Sequence, residues 1–240
     1  MASLDFTSGC FESISTRFVF YMKWALMGCV CAFLFSSLSA KRNIEVWNSE
    51  GIYLPFSSKI GGFGNFECRS KKTRKTIYYR HYQGGIYFIV SPYTFFYLAY
   101  RHVLHHQENK WVLERTPLID WTVQMSPFQA FYLSYRNRVQ YPFLNQKKGK
   151  KERWLYRGRL EWAPPSLFAR QSLFPYFATE FFWKQGKGIE QNRIEGGLKM
   201  PYHERACLTL SYLHCASSPF ANEKKWVQTS IIRFDFSLRF

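Results

Sequence analysis

The C-terminal segment 226–240 alternates apolar and polar side chains with a period of two. Successive side chains of a β-strand point to opposite faces, so this period predicts a strand with two unlike faces. The apolar face is mostly aromatic, and the polar face carries charges of both signs. The apolar face consists of Ile232, Phe234, Phe236, Leu238 and Phe240, and the polar face of Arg233, Asp235, Ser237 and Arg239. The chain therefore ends in an amphipathic strand whose last residue is a large aromatic.

Earlier segments of roughly ten residues show the same alternation and are separated by turn-forming residues. The clearest is 153–163, where Tyr156 and Leu160 lie on one face and Arg157 and Arg159 lie on the other. Including the last strand, the predicted strands are 43–54, 59–69, 77–90, 93–103, 112–124, 130–140, 153–163, 174–184, 189–199, 205–214 and 226–240. The pattern predicts an all-β protein.

The alternation does not say which face points inward. A soluble barrel buries its apolar faces, whereas an outer-membrane barrel turns them to lipid and its polar faces to the lumen. An aromatic residue at the very end of an amphipathic strand resembles the assembly signal of bacterial outer-membrane β-barrels. Here the assembly signal would consist of Phe234, Phe236, Leu238 and Phe240. This C-terminus and the N-terminal segment described below favour a single antiparallel transmembrane β-barrel.

The expected number of strands is even, because single-chain barrels of this type have even strand numbers. We therefore expect ten or twelve strands, so that either 43–54 is not a full spanning strand or one strand is missing from the count. The connections mostly alternate between two classes, as the two ends of such a barrel require. Short turns are predicted at 55–58, 91–92, 125–129 and 200–204, and longer basic loops at 70–76, 104–111, 141–152 and 215–225.

The polar faces of these strands carry many arginines and several carboxylates. In a small barrel they would face the lumen, where unpaired charge is costly, so we expect them to form ion pairs that fill it. We call this set the lumen charge network: Arg136, Arg138, Arg157, Arg159, Glu161, Glu180, Arg193, Glu195, Arg233 and Asp235.

The N-terminal segment has the features of a secretory signal peptide. Lys23 precedes the apolar run 24–35, and small residues follow up to Ala40. The apolar run is shorter than the roughly 20 residues of a transmembrane helix. We expect cleavage after Ala40, with Met22 as a candidate start, so that 1–40 is an extension and signal peptide and 41–240 is the barrel.

The composition agrees with an anionic environment. Lys and Arg number 33 against 16 Asp and Glu, for a net charge of +17, and aromatic residues make up 20% of the chain. Aromatic girdles at membrane interfaces would use many rings, and a basic surface favours anionic lipid or nucleic acid. Because a secreted protein does not meet nucleic acid in the cell, we expect outer-membrane lipid and lipopolysaccharide as partners. We expect no nucleic acid.

Motifs for chemistry are few. Outer-membrane lipid hydrolases need a serine nucleophile with a histidine base, and no serine has a histidine at a convincing offset. Adjacent His105 and His106 would point to opposite sides of a strand, which disfavours a metal site. Cleavage would leave the widely spaced Cys68, Cys207 and Cys215, which form neither a disulfide framework nor a metal motif. We therefore expect no enzyme, no cofactor and no metal.

Several short phrases, taken in order, resemble a bacterial family catalogued as domain of unknown function 2490 and described as outer-membrane barrels. The resemblance covers roughly 43–240 and implies the fold and the location, but no activity and no catalytic residues. The phrases are Trp47-Asn48-x-Glu50, Glu114-Arg115-x-Pro117, Tyr135-Arg136-x-Arg138, Tyr156-Arg157-x-Arg159, Tyr176-Phe-x-x-Glu180, and Gln191-Asn192-Arg193 followed by Gly196-Gly197.

Three hypotheses about function follow. The first is a monomeric outer-membrane β-barrel of a Gram-negative-type bacterium, structural or a narrow, anion-preferring pore, which the barrel-assembly machinery recognises through its C-terminal strand. The second is an outer-membrane lipid-modifying enzyme with an unrecognised active site. The third is a secreted or soluble basic β-protein that binds polyanions or nucleic acid.

Overall fold

Described residues of the computed structural model are 43–71, 76–107, 110–126, 131–144, 153–164, 173–202, 205–218 and 226–240. Residues 42–240 form one compact unit. The predicted signal peptide, its start and its cleavage site lie outside the described residues. Within the described ranges, no helix has the length and apolar character needed to cross a membrane.

The secondary structure of these ranges is all β, as the alternation predicts. Each predicted strand corresponds to one long strand, and 43–54 is a full strand of 13 residues. The two-residue β7 was not predicted. The strands are β1 Asn43–Pro55, β2 Ile60–Lys71, β3 Thr76–Ser91, β4 Thr94–Gln107, β5 Lys110–Met125, β6 Tyr132–Gln140, β7 Phe143–Leu144, β8 Leu155–Ala163, β9 Phe174–Lys184, β10 Gly188–Tyr202, β11 Ala206–Ser217 and β12 Val227–Arg239.

Eleven long strands close into a barrel within the described part of the chain. From β1 to β6 and from β8 to β12 each strand pairs with the next one in antiparallel fashion, and β6 pairs with β8. The short β7 pairs with β5 beyond the end of β6. The barrel closes between β1 and β12. All the long strands therefore have two hydrogen-bonded neighbours, which removes the open sheet edges.

The expectation of an even strand number was wrong, and so was the expectation of an entirely antiparallel barrel. With eleven strands the first and last run in the same direction, so their pairing has to be parallel. The seam pairs Asn43 with Thr229 and continues to Tyr53 with Arg239. The backbone N–H of Phe240 also donates to the carbonyl of Tyr53 at 3.0 Å. The eleven segments of the sequence pattern were thus the right count.

The connections alternate between the two ends of the barrel, because successive strands run in opposite directions. The end near Phe240 holds the tight turn 56–59 and the two-residue turn 92–93. At the other end, Gly186 and Gly188 have φ of 72° and 77°, a conformation that glycine adopts without strain. The predicted loop at 104–111 was too long, because β4 continues to Gln107 and β5 begins at Lys110.

The two faces of the barrel wall differ sharply. Phe234 and Phe236 of β12 are each 42% exposed on the outer face, whereas Glu180 and Glu195 on the inner face are only 3% and 2% exposed. Gly158 contributes to the outer packing, because a Cβ there would meet the Phe181 ring at 2.5 Å. The barrel thus has rings outside and charges inside.

A cross-linking experiment tests the parallel seam. Asn48 and Phe234 are register partners on the outer face. In a chain whose native cysteines are serine, Asn48→Cys with Phe234→Cys should form a disulfide readily, because paired strands lie about 5 Å apart. Mass spectrometry of proteolytic fragments would detect the link.

The matched control pairs Asn48→Cys with Leu238→Cys, four residues further along the same face of β12 and roughly 13 Å away. Efficient linking of the control pair, or none of the first pair, would contradict the parallel register.

Candidate functional site

The inner faces of the strands line a cavity of about 450 Å³. Every strand has a period of two, so alternate residues reach this cavity from all around the barrel. Cationic side chains outnumber carboxylates in its lining. The cations are Arg69, Arg101, Arg136, Arg138, Arg157, Arg159, Arg193, Lys199 and Arg233, and the carboxylates are Glu67, Asp120, Glu161, Glu195 and Asp235.

The residues of the lumen charge network lie on the inner side of the wall. Nine of the ten line the cavity, and the tenth, Glu180, lies behind the arginines that bind it. The four residues of the predicted assembly signal lie on the other side. Phe240 is among the more exposed rings of the chain. The structure thus separates the two predicted sets onto opposite faces of the wall.

Glu180 is the hub of one half of the network. Its carboxylate accepts from Arg136 Nη2 at 3.2 Å and from Arg193 Nη1 at 3.3 Å. Arg157 binds both of its oxygens, with Nη2 to Oε2 at 2.8 Å. These arginines come from β6, β8 and β10, so Glu180 on β9 connects strands on both of its sides. One buried carboxylate therefore accepts hydrogen bonds from three guanidinium groups.

Glu195 on β10 is the centre of a second group. It accepts from Arg159 Nη1 at 2.5 Å, Tyr176 Oη at 2.6 Å and Ser211 Oγ at 2.9 Å. Arg159 also donates to Glu161 at 3.0 Å, and Glu161 pairs in turn with Lys199. Both oxygens of the deeply buried Glu195 carboxylate are thereby satisfied, which offsets much of the cost of its burial.

Three further pairs complete the ionic lining. Arg138 binds Asp120 through two hydrogen bonds of 2.6 and 2.5 Å, one to each carboxylate oxygen, which is the strong bidentate pairing of guanidinium and carboxylate. The two residues are register partners on β6 and β5. The other pairs are Arg69 with Glu67 at 2.6 Å and Arg233 with Asp235 at 2.9 Å.

Sequence reasoning missed several lining residues on β3 and β4. Arg101 donates to the Gln83 side chain at 3.0 and 2.6 Å. His81 is buried against the Tyr79 hydroxyl at 3.1 Å and Asn65 Oδ1 at 3.0 Å. The register of β3 with β2 pairs His81 with Glu67 and would have revealed its inward position.

The histidines of β4 do not form a chelating group. His105 Nε2 lies 3.7 Å from Glu114 Oε2, and exposed His106 packs edge-on against Trp111. Over the described ranges, no group of three or more His, Cys, Asp or Glu side chains has the arrangement of a metal site. His105 and Glu114 therefore form a single, half-exposed pair.

The interior of the barrel differs between its two ends. Lys199, near the end of β10 on the side of Phe240, and Arg136 in the middle of β6 have side chains 34% and 29% exposed. Toward the other end the lining packs closely, with Trp47, Leu213, Cys215 and Ile231 in a buried apolar cluster. Arg69 of the neighbouring strand β2 stacks on the Trp47 ring at 3.7 Å, which extends this packing along the inner face of the wall.

The fold and the cavity define the class of protein: a closed, odd-stranded β-barrel with an ionic interior and an apolar exterior. A family model described as Protein of unknown function (DUF2490) matches residues 44–225. The chain belongs to this family, which confirms the resemblance found in the sequence.

Two other comparisons add little about activity. The solved structure of LpxR from Salmonella typhimurium is similar with a TM-score of 0.48 and 8% identity, over 79% of this chain and 87% of that chain. A likeness of this extent says nothing about activity. A search of curated protein sequences finds no match.

The ion pairs of Glu180 predict that replacing this residue destabilises the barrel. Glu180→Gln would leave three arginines around a neutral amide, and breaking a buried ion pair costs about 3–5 kcal/mol. We expect a loss of that order in the free energy of unfolding, measured by denaturant titration of the detergent-folded barrel.

The matched control is Glu190→Gln, which removes a carboxylate from half-exposed pairs with Lys184 and Lys187. It should cost about 0–1 kcal/mol. Equal costs for the two variants would mean that Glu180 is not a structural hub.

Proposed function

We propose that the protein is an outer-membrane β-barrel whose lumen is filled by ion pairs, with a structural role or at most a narrow, anion-preferring path. The observation that carries the proposal is the inversion of the barrel wall. Buried Glu180, Glu195 and Asp120 lie inside, whereas Leu160, Phe236 and Trp183 are exposed outside. A protein in water gains by the opposite arrangement.

The outer face supports a lipid environment. Large aromatic and aliphatic side chains are exposed on the outer face around the barrel, far more than a soluble monomer leaves in contact with water. Among them are Ile52, Ile86, Leu98, Ile119, Val139, Leu160, Phe181, Ile194, Leu210 and Phe234. In a bilayer this band would face hydrocarbon at no cost.

Closure of the sheet is the second support. A strand edge has unpaired N–H and C=O groups, which are costly in hydrocarbon, so a membrane-spanning sheet has to close. The parallel seam from Asn43 to Tyr53 satisfies this requirement here.

The cellular setting is inferred from the sequence. A signal peptide in 1–40 would bring the chain across the inner membrane. The assembly signal at Phe240 would then engage the barrel-assembly machinery, and the basic connections would meet lipopolysaccharide. In this proposal the end near Phe240, with its tight turns, faces the periplasm. The proposal assigns no catalytic residue.

The membrane location predicts a depth-dependent cost for charge on the outer face. Leu160 lies near the middle of β8, so Leu160→Arg should lower the free energy of unfolding in lipid vesicles by about 2–4 kcal/mol. Denaturant titration of the folded protein in vesicles measures this cost.

Tyr202, the exposed last residue of β10, provides the matched control. Tyr202→Arg should cost about 0–1 kcal/mol, since charge is tolerated near the interface. If both variants unfold like the unchanged protein, the outer face does not contact hydrocarbon.

The filled lumen predicts poor conduction. Ion pairs such as Arg138–Asp120 and Arg159–Glu195 extend into the cavity, and small barrels leave little more space than their side chains fill. In planar bilayers we expect little or no conductance, and anion preference in any residual current because the lining is rich in arginine. A large, steadily open, cation-selective pore would contradict the proposal.

A further inference from the structure

The charges of the lumen do not balance. Nine cationic side chains line the cavity with five carboxylates, and Glu180 behind them makes six. Arg136, Arg157 and Arg193 share that one carboxylate. Arg101 binds only the neutral amide oxygen of Gln83 among the described residues. Like charges in a partly desolvated space repel, so the surplus is costly unless an anion joins it.

Two guanidinium groups also have donors without acceptors. Across the part of the chain that the structure describes, the buried Nε atoms of Arg136 and Arg193 have no hydrogen-bond partner. The Arg193 side chain is only 8% exposed, so its polar atoms depend on partners inside the lumen. Buried donors in native proteins are nearly always satisfied, which indicates a missing acceptor. Both residues line the cavity.

From the charge surplus and these unsatisfied donors, we propose that the lumen is a binding site for a phosphate group. The site lies beside Glu180, between Arg136 and Arg193, with Arg157 next to them. Guanidinium groups bind phosphate through forked, charge-assisted hydrogen bonds, and the oxygens of a dianion match several donors at once. The Glu180 carboxylate orients the arginines and leaves the group a net positive charge.

Space and access agree with this assignment. The cavity of about 450 Å³ is large enough for a phosphate or a small phosphate ester. Arg136 and Lys199 are the most exposed of the ion-paired cations of the lining, and Lys199 lies near the end of β10 on the side of Phe240. A phosphorylated ligand would therefore enter from that end and meet Arg136 before the deeper Arg193. The site requires only the folded lumen, and neither conduction nor a membrane.

The test is calorimetric titration of the full chain, folded in non-ionic detergent, with inorganic pyrophosphate. Arg136→Gln should weaken binding by about tenfold or more, because it removes a charge-assisted contact. Arg101→Gln, which breaks no ion pair, should weaken it by a few-fold through the loss of one positive charge. Lys59→Gln, on an exposed turn at the same end, is the matched control and should change affinity by less than about twofold.

A second titrant identifies the source of the phosphate group. Binding of short-chain phosphatidic acid with the same dependence on Arg136 would assign a lipid headgroup, and binding of pyrophosphate alone would assign a soluble ligand. Absence of binding of either titrant would overturn the proposal. It would also fall if Lys59→Gln weakened binding as much as Arg136→Gln, since the effect would then be general charge. These outcomes are independent of the conductance and vesicle experiments.

Discussion

Buried charge has to be paired, and this requirement governs the interior of the barrel. Placing a guanidinium or carboxylate in a confined lumen costs several kcal/mol unless partners restore its hydrogen bonds. Glu180, Glu195 and Asp120 each pair with at least one arginine from another strand. Because each of these pairs joins two strands, they favour the same registers that the backbone ladder sets. The hydrogen-bonded strands of the wall and the ion pairs inside the barrel therefore stabilise each other.

The outer face has the opposite requirement, because its apolar side chains have to be kept from water. Its exposed rings gain stability only where water is absent, and each long strand of the described ranges has a hydrogen-bonded neighbour on both sides, as such a medium requires. An odd strand number costs the sheet little, because the parallel pairing of β1 with β12 still satisfies the backbone over eleven register pairs. The rule of even strand number reflects common topology rather than a physical requirement.

The local alternation of apolar and polar residues predicted most of the fold. The period of two located each long strand, because amphipathic strands repeat regardless of their partners. It also set Arg136, Arg159, Glu161 and Glu195 on the polar faces, where the structure has them lining the cavity. The pattern does not contain pairings between strands distant in sequence. The parallel seam and the inward position of His81 depend on such pairings, so neither was predicted.

The surplus of arginine was visible in the sequence, but its consequence was not. Only the geometry reveals that three guanidinium groups share Glu180 while Arg101 meets a neutral amide. Charge counts cannot distinguish a paired network from one that lacks an acceptor. The shared carboxylate is thus the feature that turns a structural network into a candidate ligand site.

The central claim is that the barrel wall is inverted within a membrane, and nitroxide labels on β12 test it most directly. With native cysteines replaced by serine, labels at Phe236, Ser237 and Leu238 would be compared in lipid vesicles by their collision rates with oxygen and with a water-soluble relaxing agent. The account predicts high oxygen contact at Phe236 and Leu238 and low oxygen contact at Ser237, because oxygen concentrates in hydrocarbon. Equal values at the three positions, or the reverse alternation, would contradict it.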